Sequence, residues 1–267
     1  MKISVIVPTY RPQGYLWECL DSVYNQTFPK SDYELVLVLN GCDEPFHSQI
    51  KDWLGKHSDL QVQFFQTDEG GVSNARNIAL DNARGEYITF IDDDDHISTI
   101  YLQDLYDNSS KERVAISNTV AFDDVTKNVL NSYVVAKDFD KCFWKKTISL
   151  VDARRFMAGP VRKLIHKDII AKRRFDIRFK NGEDTLYMYL ISDKIRQISC
   201  TSKNAIYYRR IRGSSANTRR RTFSNRLKNS LNLIKEYSRI YISSPMNYNF
   251  RLYVANVLGA LKTCIVG

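Results

Sequence analysis

The feature that most limits this chain is an alternation that fills its first 95 residues: four short apolar runs, separated by segments of helical spacing. "ISVIVPTY" is a near-continuous apolar run that stops at Pro8. "YELVLVLN" and "LQVQFFQT" follow it, and "EYITFIDDDD" ends in four aspartates, Asp92 to Asp95. Between them, "GYLWECLDSVYNQ" puts Leu16, Cys19, Leu20 and Val23 on one side of a helix. "PFHSQIKDWLGKH" reads as a helix ending near Gly55. "VSNARNIALDNARG" reads as another, with Gly85 placed as its C-cap. Strands buried on both faces and separated by helices argue for an α/β fold, a mostly parallel twisted sheet flanked by helices. Ligands of such sheets bind outside the carboxyl ends of the strands. Three features fall at those ends: Pro8-Thr9-Tyr10-Arg11, Asn40-Gly41-Cys42-Asp43 and the aspartate run. The pattern predicts that they converge on one cleft.

The remainder reads less regularly. "RVAISNTVAFDD" and "SYVVAKDF" look like strands, and "SLVDARRFMAGPVRKLIHKDIIAKRRF" looks helical around a break at Gly159-Pro160. Phe223, Leu227, Leu231, Ile234 and Tyr237 form a helical stripe, and a second helix is expected over 248–264. The expected division is a body over residues 1–215 and a basic helical C-terminal extension over 216–267.

Charge sharpens that division. Residues 201–267 hold 13 Lys or Arg against one acid, Glu236, so this segment exceeds the whole chain's net +9 and the rest is mildly acidic. A basic tail suits an anionic partner: nucleic acid, an acidic membrane or a phosphorylated substrate. The five cysteines are odd in number, widely spaced and without a CxxC pair, which argues against a disulfide framework or zinc site and fits a reducing compartment. "MKISVIVP" is too short for a secretory core, and no run of about 20 apolar residues is present. The expected location is cytoplasmic, with peripheral contact on the inner face of the cytoplasmic membrane.

Four like charges in a row suit a solvated loop as well as a site, and their surroundings decide. In an extended chain Asp92 and Asp94 point one way and Asp93 and Asp95 the other, with about 6.6 Å between alternate residues. One carboxylate of such a pair can bind a cation while the other grips it through water or holds a ribose hydroxyl. Magnesium and manganese take oxygen ligands and often bind together with substrate phosphates. A calcium loop would need a twelve-residue spacing and central glycine that this run lacks. Gly70-Gly71 precedes a helix whose free N–H groups would favour an anion, with Arg76 on its first turns; a plain turn capped by Ser73 reads equally well. Neither GxxxxGK nor GxGxxG occurs. After the turn Asn181-Gly182, Glu183 and Asp184 open a helix, as caps or, at a cleft mouth, as a general base. His166 reads as structural, and Trp144 and Tyr187 as core aromatics rather than sugar platforms.

The set "ISVIVPTYR", "YLWECLDSVYNQTF", "ELVLVLNGCDE", "GGVSNARNIALDNARGEYITFIDDDD" and "NGEDTLYMYL" resembles, in this order, glycosyltransferase family 2, inverting sugar transferases of the GT-A fold. The resemblance covers roughly residues 1–215. It implies a nucleotide-sugar donor, a UDP-sugar first, and a divalent cation, manganese or magnesium. It also implies a glycan or lipid-linked acceptor, as in bacterial surface polysaccharide synthesis. Asp92 and Asp94 match the family's Asp-x-Asp, which makes Asp94 the direct metal ligand and Asp92 the ribose or metal-water contact. Asp93 lies within the same donor segment, where alternation makes it a spacer, and Asp95 stays unassigned. Pro8, Thr9 and Tyr10 match the nucleotide-binding loop. Asp184 matches the catalytic base, with Glu183 beside it. "YYRRIRGSSA" resembles a segment that closes over the diphosphate, which places Arg209, Arg212 and Ser214 near the donor. The family's Asp-Asp-Gly-Ser after the second strand is here Leu39, Asn40, Gly41 and Cys42. Asn40 can still pair with a pyrimidine edge, since its amide both donates and accepts.

Two other readings compete. A nucleotidyltransferase would use the same aspartate–metal chemistry and release pyrophosphate. A non-catalytic nucleic-acid binder would use the basic tail, where Tyr207, Tyr208, Phe223, Tyr237 and Tyr241 interleave with the cations. Much of that aromatic set falls on the apolar stripe of the expected helix, so a lipid surface is the preferred partner and no nucleic acid is expected.

Overall fold

The computed structural model describes residues 1–145, 147–213 and 222–266. The first half follows the alternation. Strand β1 (Ile3–Thr9) leads to α1 (Gly14–Tyr24), β2 (Tyr33–Asn40), α2 (Phe46–Lys56), β3 (Gln61–Thr67), α3 (Val72–Asn82) and β4 (Tyr87–Phe90). β1 pairs in parallel with both β2 and β4, and β2 with β3. Every residue of β1 and β2 is buried, because helices cover both faces of the sheet.

The second half departs from the sequence reading. β5 (His96–Ile97) and α4 (Tyr101–Asn108) follow the aspartates, then β6 (Arg113–Ile116) and β7 (Asn118–Asp123). These last two join different sheets. The main sheet runs β3-β2-β1-β4-β8-β6-β9, where β8 is Lys163–His166 and β9 is Gln197–Cys200. A smaller sheet runs β5-β10-β7, with β10 at Ile206–Ile211. "VVAKDF", expected as strand, opens α5 (Val134–Phe143), which buries Asp138, Phe139 and Cys142 at one-turn spacing. Its two β-branched valines suggested a strand, but the burial period is helical. "KLIH", expected as helix, is β8, antiparallel to both β4 and β6. All four of its residues are buried in the sheet, so tertiary pairing overrides the local pattern. The short helix α6 (Lys167–Ile170) follows at once.

α7 (Glu183–Ile191), α8 (Phe223–Ser243) and α9 (Phe250–Val266) complete the chain. α8 is where the stripe placed it, yet its buried face is Ser230, Leu233, Glu236, Tyr237 and Ile240, while Phe223, Leu227 and Leu231 are exposed. Leu233, Tyr237 and Ile240 pack in one apolar cluster with Phe179, Leu186 and Tyr189 of the body. Gly85 is not a helix cap either: α3 ends at Asn82, and Gly85 N–H donates to Ser4 Oγ at 2.8 Å. Among the described residues, no helix is long and apolar enough to cross a membrane.

Candidate active site

The carboxyl ends of β1, β2, β3 and β4 open onto one cleft of about 610 Å³. Pro8, Thr9 and Tyr10 line it from β1, Asn40 and Gly41 from β2, Gly70, Gly71 and Val72 from the start of α3, and Asp92, Asp93 and Asp94 from the aspartate run. The expected convergence is therefore present. Gly41 has a φ of +64°, and a Cβ there would lie 2.7 Å from Gly70 Cα, so only glycine lets these two loops touch. The Asn40 amide is drawn into the frame: its Nδ2 donates to Thr9 O at 2.7 Å, and its Oδ1 accepts from Gly71 N–H at 2.9 Å. It ties the β1 loop to the helix start, which leaves one N–H and one lone pair for a ligand.

The aspartates do not alternate. β4 ends before them, and Asp95 N–H closes a turn onto Asp92 O at 3.0 Å. The turn gathers Asp92, Asp94 and Asp95, with ligand atoms all within 4.8 Å of one another. Asp93 is not a spacer facing away: its Oδ2 accepts from Thr9 Oγ1 at 2.6 Å and it lines the cleft. Burial, reinforced by the charges of Asp94 and Asp92, pushes the Asp93 carboxyl up to about 7, against the hydrogen bond from Thr9. Burial and the Asp92 charge raise Asp94 as well, while Arg209 and Arg212 oppose them. Such crowded oxygens are a donor set that a hard divalent cation fits.

Arginines hold the run together. Arg209 Nη1 reaches Asp92 Oδ2 at 2.8 Å and Asp95 Oδ2 at 2.9 Å. Arg212 Nη2 reaches Asp94 Oδ2 at 2.6 Å, and its guanidinium lies 4.6 Å from the Tyr15 ring centroid. Arg210 N–H donates to Asp95 Oδ1 at 2.8 Å; Asp95 is fully buried and does not line the cleft, so that residue fixes the turn. Ser214 lies outside the described residues.

Arg76, expected as a donor contact, is buried and does not line the cleft. Its Nη2 pairs with Asp92 Oδ1 at 2.9 Å and its Nη1 with Asp184 Oδ1. One guanidinium thus joins the aspartate run to the Glu183-Asp184 helix start. Burial pushes the Asp92 carboxyl up, but Arg76 and Arg209 outweigh it and hold it below its ordinary value. Asp184 is the reverse case: burial and the Asp92 charge raise its carboxyl, and Arg76 only partly opposes them. Gly159 faces it, since a Cβ there would come 3.8 Å from Asp184 Oδ2.

Sequence reasoning missed four residues here. Tyr15 and Asp68 line the cleft. Tyr207 Oη accepts from Asp92 N–H at 3.2 Å. Lys163 is fully buried and donates to Gly159 O at 2.5 Å and Val161 O at 2.8 Å. Burial, with the nearby Arg162, holds its ammonium well below the ordinary range, against the pull of Asp184. A charged residue in the middle of the buried run "VRKLIH" was its available signal. His166 is structural as read: it caps α6 through Nδ1, which accepts from Asp168 N–H at 3.1 Å. Tyr187 is core, stacked on Phe175 at 3.8 Å, but Trp144 is 79% exposed, because it follows the last turn of α5 rather than a strand. Of the interleaved tail aromatics, Tyr207 and Tyr237 are buried, Tyr208 stacks on His96 and Tyr241 on Tyr253, and Phe223 is 58% exposed.

The model of glycosyl transferase family 2 matches residues 4–173. The chain belongs to this family. Among its family 2 relatives, the poly(ribitol-phosphate) beta-glucosyltransferase of Bacillus spizizenii is 31% identical over 78% of this chain and 32% of that protein. Glycosyltransferase GlyG of Streptococcus pneumoniae is 29% identical over 81% of this chain and 73% of that protein. The first curated relatives are long, and the chain spans about a third of the length of the two leading ones. The crystal structure of S. aureus TarS 1–349 in complex with UDP-GlcNAc superposes with a TM-score of 0.73 at 24% identity, over 98% of this chain and 72% of that one. That likeness shows the GT-A fold.

Proposed function

We propose that this chain transfers a sugar, with inversion, from a UDP-sugar to a hydroxyl of a bacterial surface glycan or a lipid-linked precursor of one. The observation that carries this is the joining of Asp92 and Asp184 through Arg76 at the strand-end cleft. It puts the aspartate-lined cleft beside a carboxylate whose proton affinity burial has raised. The relatives support the class. Their names describe glucosyl and N-acetylglucosaminyl transfer to poly(ribitol-phosphate), and TarS has been crystallised with UDP and with UDP-GlcNAc.

Each part has work suited to its chemistry. Asp94 and Asp92 would hold a divalent cation, which neutralises the charge that develops on the leaving diphosphate. Tyr10, 49% exposed at the cleft, offers a ring face to the base, and Asp68 a carboxylate to its N–H edge. Arg209 and Arg212 face the phosphates with donors that need no proton bookkeeping. Gly70 and Gly71 let the phosphates approach the start of α3. Asp184 takes the proton of the acceptor hydroxyl as that oxygen attacks the anomeric carbon. A carboxyl raised toward neutral pH is a stronger base than an ordinary aspartate.

The test joins binding to turnover. With manganese present, UDP or a UDP-sugar should raise the melting midpoint more than other nucleotides do. Asp184→Asn should keep that shift and lose transfer by about a hundredfold or more. Loss of donor binding in that variant would remove Asp184 from the role of base, and release of pyrophosphate from a nucleoside triphosphate would replace sugar transfer with nucleotidyl transfer.

A further inference from the structure

The two C-terminal helices carry more apolar surface than their packing uses. On α8, Leu233, Tyr237 and Ile240 turn toward the body, and α9 covers a second side. There the Tyr241 and Tyr253 rings stack 4.8 Å apart, and the Ser238 and Tyr253 hydroxyls lie 2.9 Å apart. At 100° per residue, Leu227 continues the α9 side of the helix, and Leu231 and Ile242 come next round it, beyond the α9 seam and away from the body. They are 39%, 55% and 74% exposed. α9 repeats the order. Leu252 and Ala260 are buried in the shared cluster, and Tyr253 and Val257 pack partly against it. Phe250, Leu258 and Leu261 lie beyond, at 57%, 58% and 43% exposed. For two helices packed antiparallel over one core, both unused stripes fall on the same outward side and form one apolar surface.

The next positions on each helix are basic. Lys228 and Lys235 follow the stripe on α8, and Arg251 and Lys262 follow it on α9, all exposed. None of these four has an ion-pair partner among the described residues. The one acid of the region, Glu236, is buried and already held by Arg178 and Arg239. An apolar strip with cationic margins on both sides matches an anionic lipid surface, where side chains enter the acyl boundary and lysines meet headgroups. A second copy would set the same cations against each other, and nucleic acid offers nothing for the leucines.

We propose that the outward face of α8 and α9 rests on an anionic lipid surface. The contact bears on the cleft through short links. Leu233 of α8 lies beneath Gly182, which precedes α7, and Asn229 Nδ2 donates to Asn181 O at 3.2 Å. Asp184 stands two residues beyond Gly182, so the lipid-facing hairpin braces the helix start that carries the candidate base. The surface argument stands apart from the nucleotide-sugar reading and holds whatever the cleft binds.

The experiment is sedimentation of the full chain with vesicles. It should pellet with phosphatidylglycerol–phosphatidylcholine vesicles at low salt, pellet far less with phosphatidylcholine alone, and release as salt rises. Leu231→Glu with Leu258→Glu should abolish pelleting while the circular dichroism and melting midpoint stay at wild-type values, since both side chains are exposed. Lys228→Glu with Lys262→Glu should weaken binding by about tenfold or more. A wild-type chain that stays in the supernatant overturns the proposal, as does a leucine variant that pellets like the wild type. A dimer in light scattering that the leucine variant breaks, without vesicle binding, assigns the face to a second copy and overturns it as well.

Discussion

Four adjacent aspartates are tolerable here because cations answer them at close range. Arg76, Arg209 and Arg212 pair with Asp92, Asp95 and Asp94, while Thr9 holds Asp93. The sequence placed the run at a strand end and named these arginines. It could not show that the chain turns at once, because alternation is a property of extended backbone and Asp95 N–H closes a turn on Asp92 O. Nor could it show that Arg76 serves two carboxylates, since Asp184 is 108 residues away. That bridge has a pH consequence. In the proposed role of base Asp184 must be ionised to accept a proton, and Arg76, with Lys163 behind it, opposes the rise of its carboxyl. Arg76→Met removes the opposition, so the Asp184 carboxyl rises further and less of it is ionised on the acid side. The acid limb of kcat/KM should move to higher pH, read from a pH–rate profile; an unmoved limb would separate Asp184 from the chemistry. In the proposed cation role, Asp94→Asn should cut manganese-dependent turnover at a stability cost of about 1 kcal/mol, since the amide keeps an oxygen for Arg212.

At the scale of elements, the strands and helices of the first half were legible because each is buried on a regular period, while β8 and α5 were not. β8 is a four-residue strand whose pattern, with Lys163 in it, matches no period, and only the slot between β4 and β6 makes it extended. The junction of α3 with β1 shows the same limit. Gly85 looks like a helix cap in the sequence, yet a Cβ there would lie 2.4 Å from Ser4 N and 2.7 Å from Ile3 C. Both neighbours are backbone of β1, an interior strand of the sheet, so neither can yield cheaply. Gly85→Ala should therefore destabilise by about 3 kcal/mol, at the upper end of overpacking costs, in chemical denaturation. A change under about 0.5 kcal/mol, typical of a surface site, would mean that the chain passes β1 with room to spare.

For the whole molecule the question is whether the C-terminal helices are a unit of their own. The charge asymmetry of the sequence suggested a division near residue 215, and composition marks it well. Packing joins the two sides: Leu233, Tyr237 and Ile240 share one cluster with Phe179, Leu186 and Tyr189, and Tyr248 Oη donates to Leu190 O at 2.9 Å. Leu252 and Ala260 of α9 lie in the same cluster, so the hairpin draws part of its stability from the body. Heat or denaturant should then unfold both in one transition, seen alike by far-UV dichroism and tyrosine fluorescence. Leu233→Ala decides the matter, because that side chain is buried against both sides and sits beneath Gly182. It should lower stability by about 2–4 kcal/mol and keep the single transition. On the proposed roles it should also reduce transfer more than donor binding, since the helix start that loosens carries Asp184 and none of the cleft-lining residues. Two separated transitions, with only the weaker one shifted, would instead make the basic hairpin an independent domain.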